Sequence, residues 1–111
     1  MEVEHHQTVS LVLTTLENRE TAKSLAKTLV EEQLAACVTE FPVVSRYRWK
    51  GELEESAEIQ LLMKTSAEGV QRLVDRLESL HPYDTPEILV MKDVQASKAY
   101  GDWVQVSLKK E

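Results

Sequence analysis

The residues that could do chemistry in this chain of 111 residues are few, and most of them fall in one stretch. His81-Pro-Tyr-Asp-Thr-Pro-Glu87 sets an imidazole and a carboxylate at the two ends of a turn-rich segment, with Asp84 between them. Imidazole and carboxylate are donors for divalent cations, and the spacing allows one local site. Two ligands alone make a weak site, so a third would have to come from a neighbouring element or another subunit. The plainer reading is that His81 ends a helix, where an imidazole suits the negative end of the dipole. Glu87 is then a solvated strand end.

Other chemistries find less support. The single cysteine, Cys37, excludes an intramolecular disulfide and a multi-cysteine zinc site. It follows Ala35-Ala36 at the start of an apolar strand, the setting of a small buried hydrophobe. Activation would need a base or cation beside it, and no spacing brings His81 there. His5 and His6 lie in a polar tail expected to fray. The loop Leu16-Glu-Asn-Arg-Glu20 has no glycine and two acids, so it is neither a phosphate loop nor a dinucleotide fingerprint. Arg19 reads as solvated helix surface. With no positioned nucleophile and base, an enzyme is not expected.

Charge narrows the partners. Thirteen Lys and Arg against nineteen Asp and Glu leave a net charge of −6. Phosphate neutralisation needs a basic stripe that is missing here, which argues against nucleic acid. The same balance argues against anionic membranes and is compatible with cations. No apolar run approaches the ~20 residues that span a bilayer. The stretch Met1–His6 is acidic and polar, unlike a secretory signal or a transit peptide, so a cytoplasmic address is expected. The length suffices for one core without staples, hence one domain over residues 8–111 behind a flexible tail over residues 1–7.

The elements that must position these residues follow from periodicity. Thr8–Thr15 (TVSLVLTT) is β-branched and apolar, a buried strand. Asn18 caps a helix carrying Ala22, Leu25, Ala26, Leu29, Val30 and Leu34 on one face, ending near Leu34. From Ala36 to Lys50, Phe41, Val43, Tyr47 and Trp49 share one parity and Arg46 and Arg48 the other. Pro42 requires an edge position or a bulge. Lys50-Gly51 is a short turn, after which Leu53, Ala57, Ile59, Leu61 and Met63 alternate as a partner strand through Lys64. Thr65 and Glu68 have capping-box spacing for a helix with Val70, Leu73, Val74, Leu77 and Leu80, stopped by His81-Pro82. Glu87–Val94 is a fourth strand. Ser97 caps a last short helix that Gly101 weakens, with Tyr100, Trp103, Val104 and Leu108 inward. This order, with right-handed crossovers, predicts an α+β fold: a ferredoxin-like βαββαβ sandwich with a long hairpin between its second and third strands.

The hairpin is too long for its body. About 13 residues per strand reach ~45 Å, whereas a compact chain of this size spans roughly 35 Å. The tip, with Tyr47 and Trp49, should therefore project. Either these aromatics meet another copy, which is the expectation adopted, or a bulge at Pro42 folds the hairpin back on its own core.

Three stretches, EEQLAACVTEFP, YRWKGELEESAEIQLLMKT and above all LHPYDTPEILV, make the chain resemble the CutA family of divalent-cation tolerance proteins from Thr8 to about Leu108. The resemblance implies a ferredoxin-like protomer in a compact homotrimer and a role in tolerance of divalent ions. No tightly bound cofactor is implied; Cu²⁺ or another divalent cation is the candidate ligand. His81 and Glu87 stand where the family motif offers ligands. Copper-binding relatives carry a first-strand cysteine where this chain has Leu13-Thr14-Thr15, and a second histidine where it has Leu80. A site short of a thiolate and an imidazole holds a soft metal weakly. Trp49, Lys64 and Tyr83 match family positions near the clefts between subunits, where they could line a ligand pocket or simply pack. The trimer is similar in architecture to PII-type signalling proteins, so small-ligand sensing at those clefts is the alternative function, and a stable scaffold without a ligand a third.

Overall fold

The computed structural model describes residues 6–110; residues 1–5 of the tail expected over residues 1–7 lie outside the described residues, while Gln7 already belongs to the first strand. Seven elements follow in order: β1 (Gln7–Leu16), α1 (Arg19–Glu31), β2 (Cys37–Trp49), β3 (Glu52–Thr65), α2 (Val70–Leu80), β4 (Leu89–Ala96) and α3 (Lys98–Val106). The strands form one antiparallel sheet in the order β2-β3-β1-β4. This is the ferredoxin-like order, and the fold class read from the sequence stands.

β1 lies at the centre, and its side chains alternate between two cores. Val12 and Leu16, with Leu61 and Met63 of β3, face α1 and α2 and join Ala22, Leu25, Leu29, Leu73 and Leu77 in the main core. Val9, on the opposite face, joins Ala36, Val104 and Leu108 in a second core beneath α3. Thus α3 covers one end of the face that the other helices leave open.

Local signals act as read in some places and not in others. Asn18 caps α1 by accepting from Thr21 N–H, and Ser97 caps α3 by accepting from Tyr100 N–H. However, α1 stops at Glu31, short of Leu34, because Gln33 turns left-handed (φ 58°). Leu34 N–H then returns to Leu29 O at 3.0 Å and Gln33 N–H to Val30 O at 3.0 Å, which satisfies the last carbonyls. Thr65 does not cap α2. It is fully buried at the end of β3 and donates to Leu34 O at 3.0 Å, while Ser66 Oγ accepts from Gly69 N–H. Tyr100 and Trp103 are not inward; they lie partly exposed and against each other.

The hairpin extends straight. Lys50 (φ 51°) and Gly51 (φ 82°) both adopt the positive φ of a type I′ turn. β2 pairs with β3 without interruption from Cys37↔Lys64 to Trp49↔Glu52, so Pro42 introduces no bulge and sits on the edge strand. β1 covers β3 only as far as Leu16↔Ile59. Beyond that rung, residues 43–49 and 52–58 form a two-stranded ribbon. The molecule is accordingly 48 Å long and only 28 by 20 Å across. Tyr47, Trp49 and Leu53 remain exposed on this ribbon. At the other edge, β4 departs from regular pairing with β1 between Val9 and Leu11, beside Asp93 at φ 57°.

Gly101 has a role the sequence alone does not show. Gln7 lies against it, so that an added Cβ would land on Gln7 Cβ and within 2.9 Å of its Cγ. Gln7 is held there by its Nε2, which donates to Asp102 Oδ1 at 2.6 Å. In an exposed helix, Gly→Ala gains about 1 kcal/mol. Here Gly101→Ala is expected to destabilise by about 1–3 kcal/mol, the cost of overpacking. Urea denaturation followed by circular dichroism checks the sign.

Candidate functional site

The Pro82 ring fixes His81 in an extended conformation (φ −71°, ψ 132°), and this ends α2. The same conformation turns the imidazole inward against β1, where only 8% of the residue remains exposed. Nε2 lies 2.9 Å from Thr15 O. A carbonyl only accepts, so Nε2 carries the proton and Nδ1 is bare. Nδ1 in turn accepts from Tyr83 N–H at 3.2 Å. Both ring nitrogens are therefore engaged within the fold. Burial holds the imidazole pKa below its ordinary value, against the opposing pull of the Thr15 hydrogen bond and of Glu58.

Tyr83 carries the connection onward. Its ring meets His81 edge-on at 4.7 Å, and its hydroxyl donates to Glu58 Oε2 at 3.0 Å. Burial, and then the Glu58 carboxylate, raise the phenol pKa well above the tyrosine range. A concavity of about 340 Å³ lies beside Glu58, lined by Glu17, Arg19, Pro42, Val44 and Ile59 among others. A larger one of about 680 Å³ opens between α1 and α2, where Arg76 holds Glu32 through two 2.8 Å hydrogen bonds. Neither is lined by His81, Glu87, Trp49, Lys64 or Tyr83.

These donors do not fit a resident metal ion. His81 keeps no lone pair free, and Glu87 stands exposed in the loop before β4. Among the described residues, no group of three or more His, Cys, Asp or Glu is placed to hold a metal. Thr14 is fully buried, and its Oγ1 finds no hydrogen-bond partner among the described residues. Cys37 is half-buried, with Sγ 3.5 Å from the Tyr100 hydroxyl. Burial and that contact push the Tyr100 pKa up to about 12.

The remaining expected residues are dispersed within one protomer. Lys64 pairs with Cys37 at the root of the hairpin and donates to Thr39 Oγ1 at 3.2 Å. Trp49 lies at the end of β2 opposite to Cys37, roughly 40 Å away along that strand. Tyr83 touches the hairpin between them, at Glu58. Tyr47 and Trp49 do share the ribbon, with Tyr47 hydrogen-bonded to Ser56 at 2.9 Å. Sequence reasoning did not find the His81–Thr15 contact, whose partners are 66 residues apart.

Sheet order, helix placement and the overlong hairpin define a small α+β protein of the ferredoxin-like class. The sequence profile of the CutA1 divalent ion tolerance protein matches residues 10–107, and the chain belongs to that family. A divalent-cation tolerance protein CutA from Thermus thermophilus is 43% identical over 96 residues, covering 86% of this chain and 93% of its own. The structure of CutA from Synechococcus elongatus superposes with a TM-score of 0.88 at 41% identity, covering 92% of this chain and 91% of the other. A structure from Archaeoglobus fulgidus, described as a periplasmic divalent cation tolerance protein, gives 0.86 at 31% identity, covering 91% and 99%. Membership of this family places the role of the chain in divalent-ion tolerance. No helix among the described residues is long and apolar enough to cross a membrane.

Two outcomes follow from the site. A folded-state histidine pKa below the unfolded value stabilises only while the ring is neutral. That stability is complete above the ordinary histidine value of 6.5 and is lost as pH falls through the lowered one. The stability gap between the wild type and His81→Gln should shrink below about pH 6.5, by at most about 1.4 kcal/mol per pH unit. Guanidinium unfolding of both proteins across pH 4.5–8 measures it. Thr14→Val removes a buried hydroxyl without a partner while keeping its shape, and should raise stability by about 1 kcal/mol in the same assay.

Proposed function

We propose that this chain acts in divalent-metal tolerance as a cytoplasmic, non-enzymatic homotrimer that meets Cu²⁺ or another divalent cation weakly. The observation that carries the reading is the ribbon of residues 43–58. It leaves the four-stranded sheet with Tyr47, Trp49 and Leu53 exposed. A two-stranded ribbon is marginal in water by itself, and exposed aromatics of this kind are covered by another surface. A second copy provides that surface, and closed symmetric assembly satisfies every ribbon alike.

Cation binding is weak because the imidazole of the loop is committed elsewhere. Solvent-facing carboxylates, Glu87 among them, are the donors left to a cation from solution, and the net charge of −6 favours its approach. Carboxylates select poorly for soft metals, so this contact is transient and broad in specificity. Trp49, Lys64 and Tyr83, scattered within one protomer, come together only if a neighbouring copy brings them to a shared cleft.

Sedimentation equilibrium at micromolar concentration should return a mass three times that of the 12.7 kDa chain. A monomer there overturns the assembly and the clefts together. Calorimetry with Cu²⁺, Zn²⁺ and a panel of nucleotides should give weak cation binding, with dissociation constants above micromolar. Tight nucleotide binding would favour the PII-like reading, and silence from every ligand the scaffold.

A further inference from the structure

We infer that His81 is a positioning residue in this chain and not a cation ligand: it fastens Tyr83 so that the phenol braces the root of the hairpin ribbon. This rests on the metal-tolerance reading above, because it concerns the histidine that the family motif offers to a cation.

The argument begins with lone pairs. Nε2 donates to Thr15 O, so a metal at Nε2 would have to displace a proton and break a buried hydrogen bond. The proton would have to move to Nδ1, which could then no longer accept from Tyr83 N–H. A metal at Nδ1 would have to expel Tyr83 N–H, leaving that amide without its acceptor. It would also free the residue whose hydroxyl reaches Glu58. His81 as a whole is 8% exposed and its ring lies edge-on to Tyr83, which leaves little room for a hydrated ion.

What the imidazole does instead follows from where the chain of contacts ends. It runs from the Thr15 carbonyl in β1 through His81 and Tyr83 to Glu58 in β3. Glu58 pairs with Val43, and this is the first rung beyond the Leu16↔Ile59 pair where β1 coverage stops. The loop 81–86 thus ties the central strand to the point where the hairpin loses its third strand. Both ring nitrogens are needed for this, one as donor and one as acceptor, which a protonated or metallated imidazole does not offer.

Long-range proton–nitrogen spectra of the uniformly ¹⁵N-labelled wild-type chain report the imidazole tautomer directly. During a Zn²⁺ titration at neutral pH, the His81 nitrogens should keep the Nε2–H pattern through several equivalents. A stoichiometric shift of either nitrogen overturns the assignment. In a second arm, Tyr83→Phe should accelerate amide exchange at residues 43–47 and 54–58 at least tenfold while Cu²⁺ affinity stays within about twofold. Unchanged exchange there overturns the brace. A tenfold loss of Cu²⁺ affinity in His81→Asn, with its fold retained, overturns the non-ligand role. Should no cation bind at all, the proposed weak binding fails while an unmoved imidazole leaves His81 where it is placed here.

Discussion

Everything in this molecule answers to a mismatch in strand length. β1 ends at Leu16, opposite Ile59, while β2 and β3 run on together to Trp49 and Glu52. Two strands without a third, and without a helix beneath them, cannot bury enough surface to hold themselves. The ribbon therefore depends on local devices. A type I′ turn matches the strand twist at Lys50-Gly51. Arg46 meets Glu55 at 2.9 Å and Tyr47 meets Ser56 across the strands, but an exposed ion pair contributes only a few tenths of a kcal/mol. The Tyr83 hydroxyl adds the one tether from outside the hairpin that the described residues provide at this rung. What those contacts leave uncovered is Tyr47 and Trp49 on one face of the ribbon and Leu53 on the other, on which the proposed assembly rests.

The loop after α2 shows why a residue type in a motif is not yet a ligand. Histidine and glutamate six positions apart are consistent with a cation site on paper. In the fold the imidazole faces the protein, with donor and acceptor both matched, and the carboxylate faces solvent. The outcome is decided by Pro82. Its ring denies His81 the helical conformation, and the extended backbone carries the side chain back onto β1. A family known for divalent ions can therefore include a chain whose motif histidine is spent on holding the fold.

The fold was legible because its signals are local and repeat. The β-branched apolar run TVSLVLTT, the apolar stripes of the two long helices, and the caps at Asn18 and Ser97 each act over a few residues. What the sequence hid depends on tertiary neighbours. Gln33 takes a conformation in which glycine would have announced a helix end. Thr65 has the look of a cap, yet its hydroxyl serves Leu34 from inside the sheet. Gly101 reads as a weak point in a helix, while the close approach of Gln7 makes it a requirement. For the candidate site, the motif pointed only to the loop after α2. The acceptor for His81 lies on a strand 66 residues earlier, and no periodicity links the two.

The sheet's two outer borders are flawed in different ways. On β2 the flaw is Pro42, which offers no N–H to a newcomer; on β4 it is the irregularity beside Asp93, which bends the strand away from a straight template. A border that could recruit strand after strand would lead a concentrated solution of this protein to fibres. With both borders interrupted, open-ended polymerisation has no uniform row of backbone groups to grow along. A chain whose ribbon leaves Tyr47 and Trp49 exposed is thereby spared a second, open-ended route to sticking.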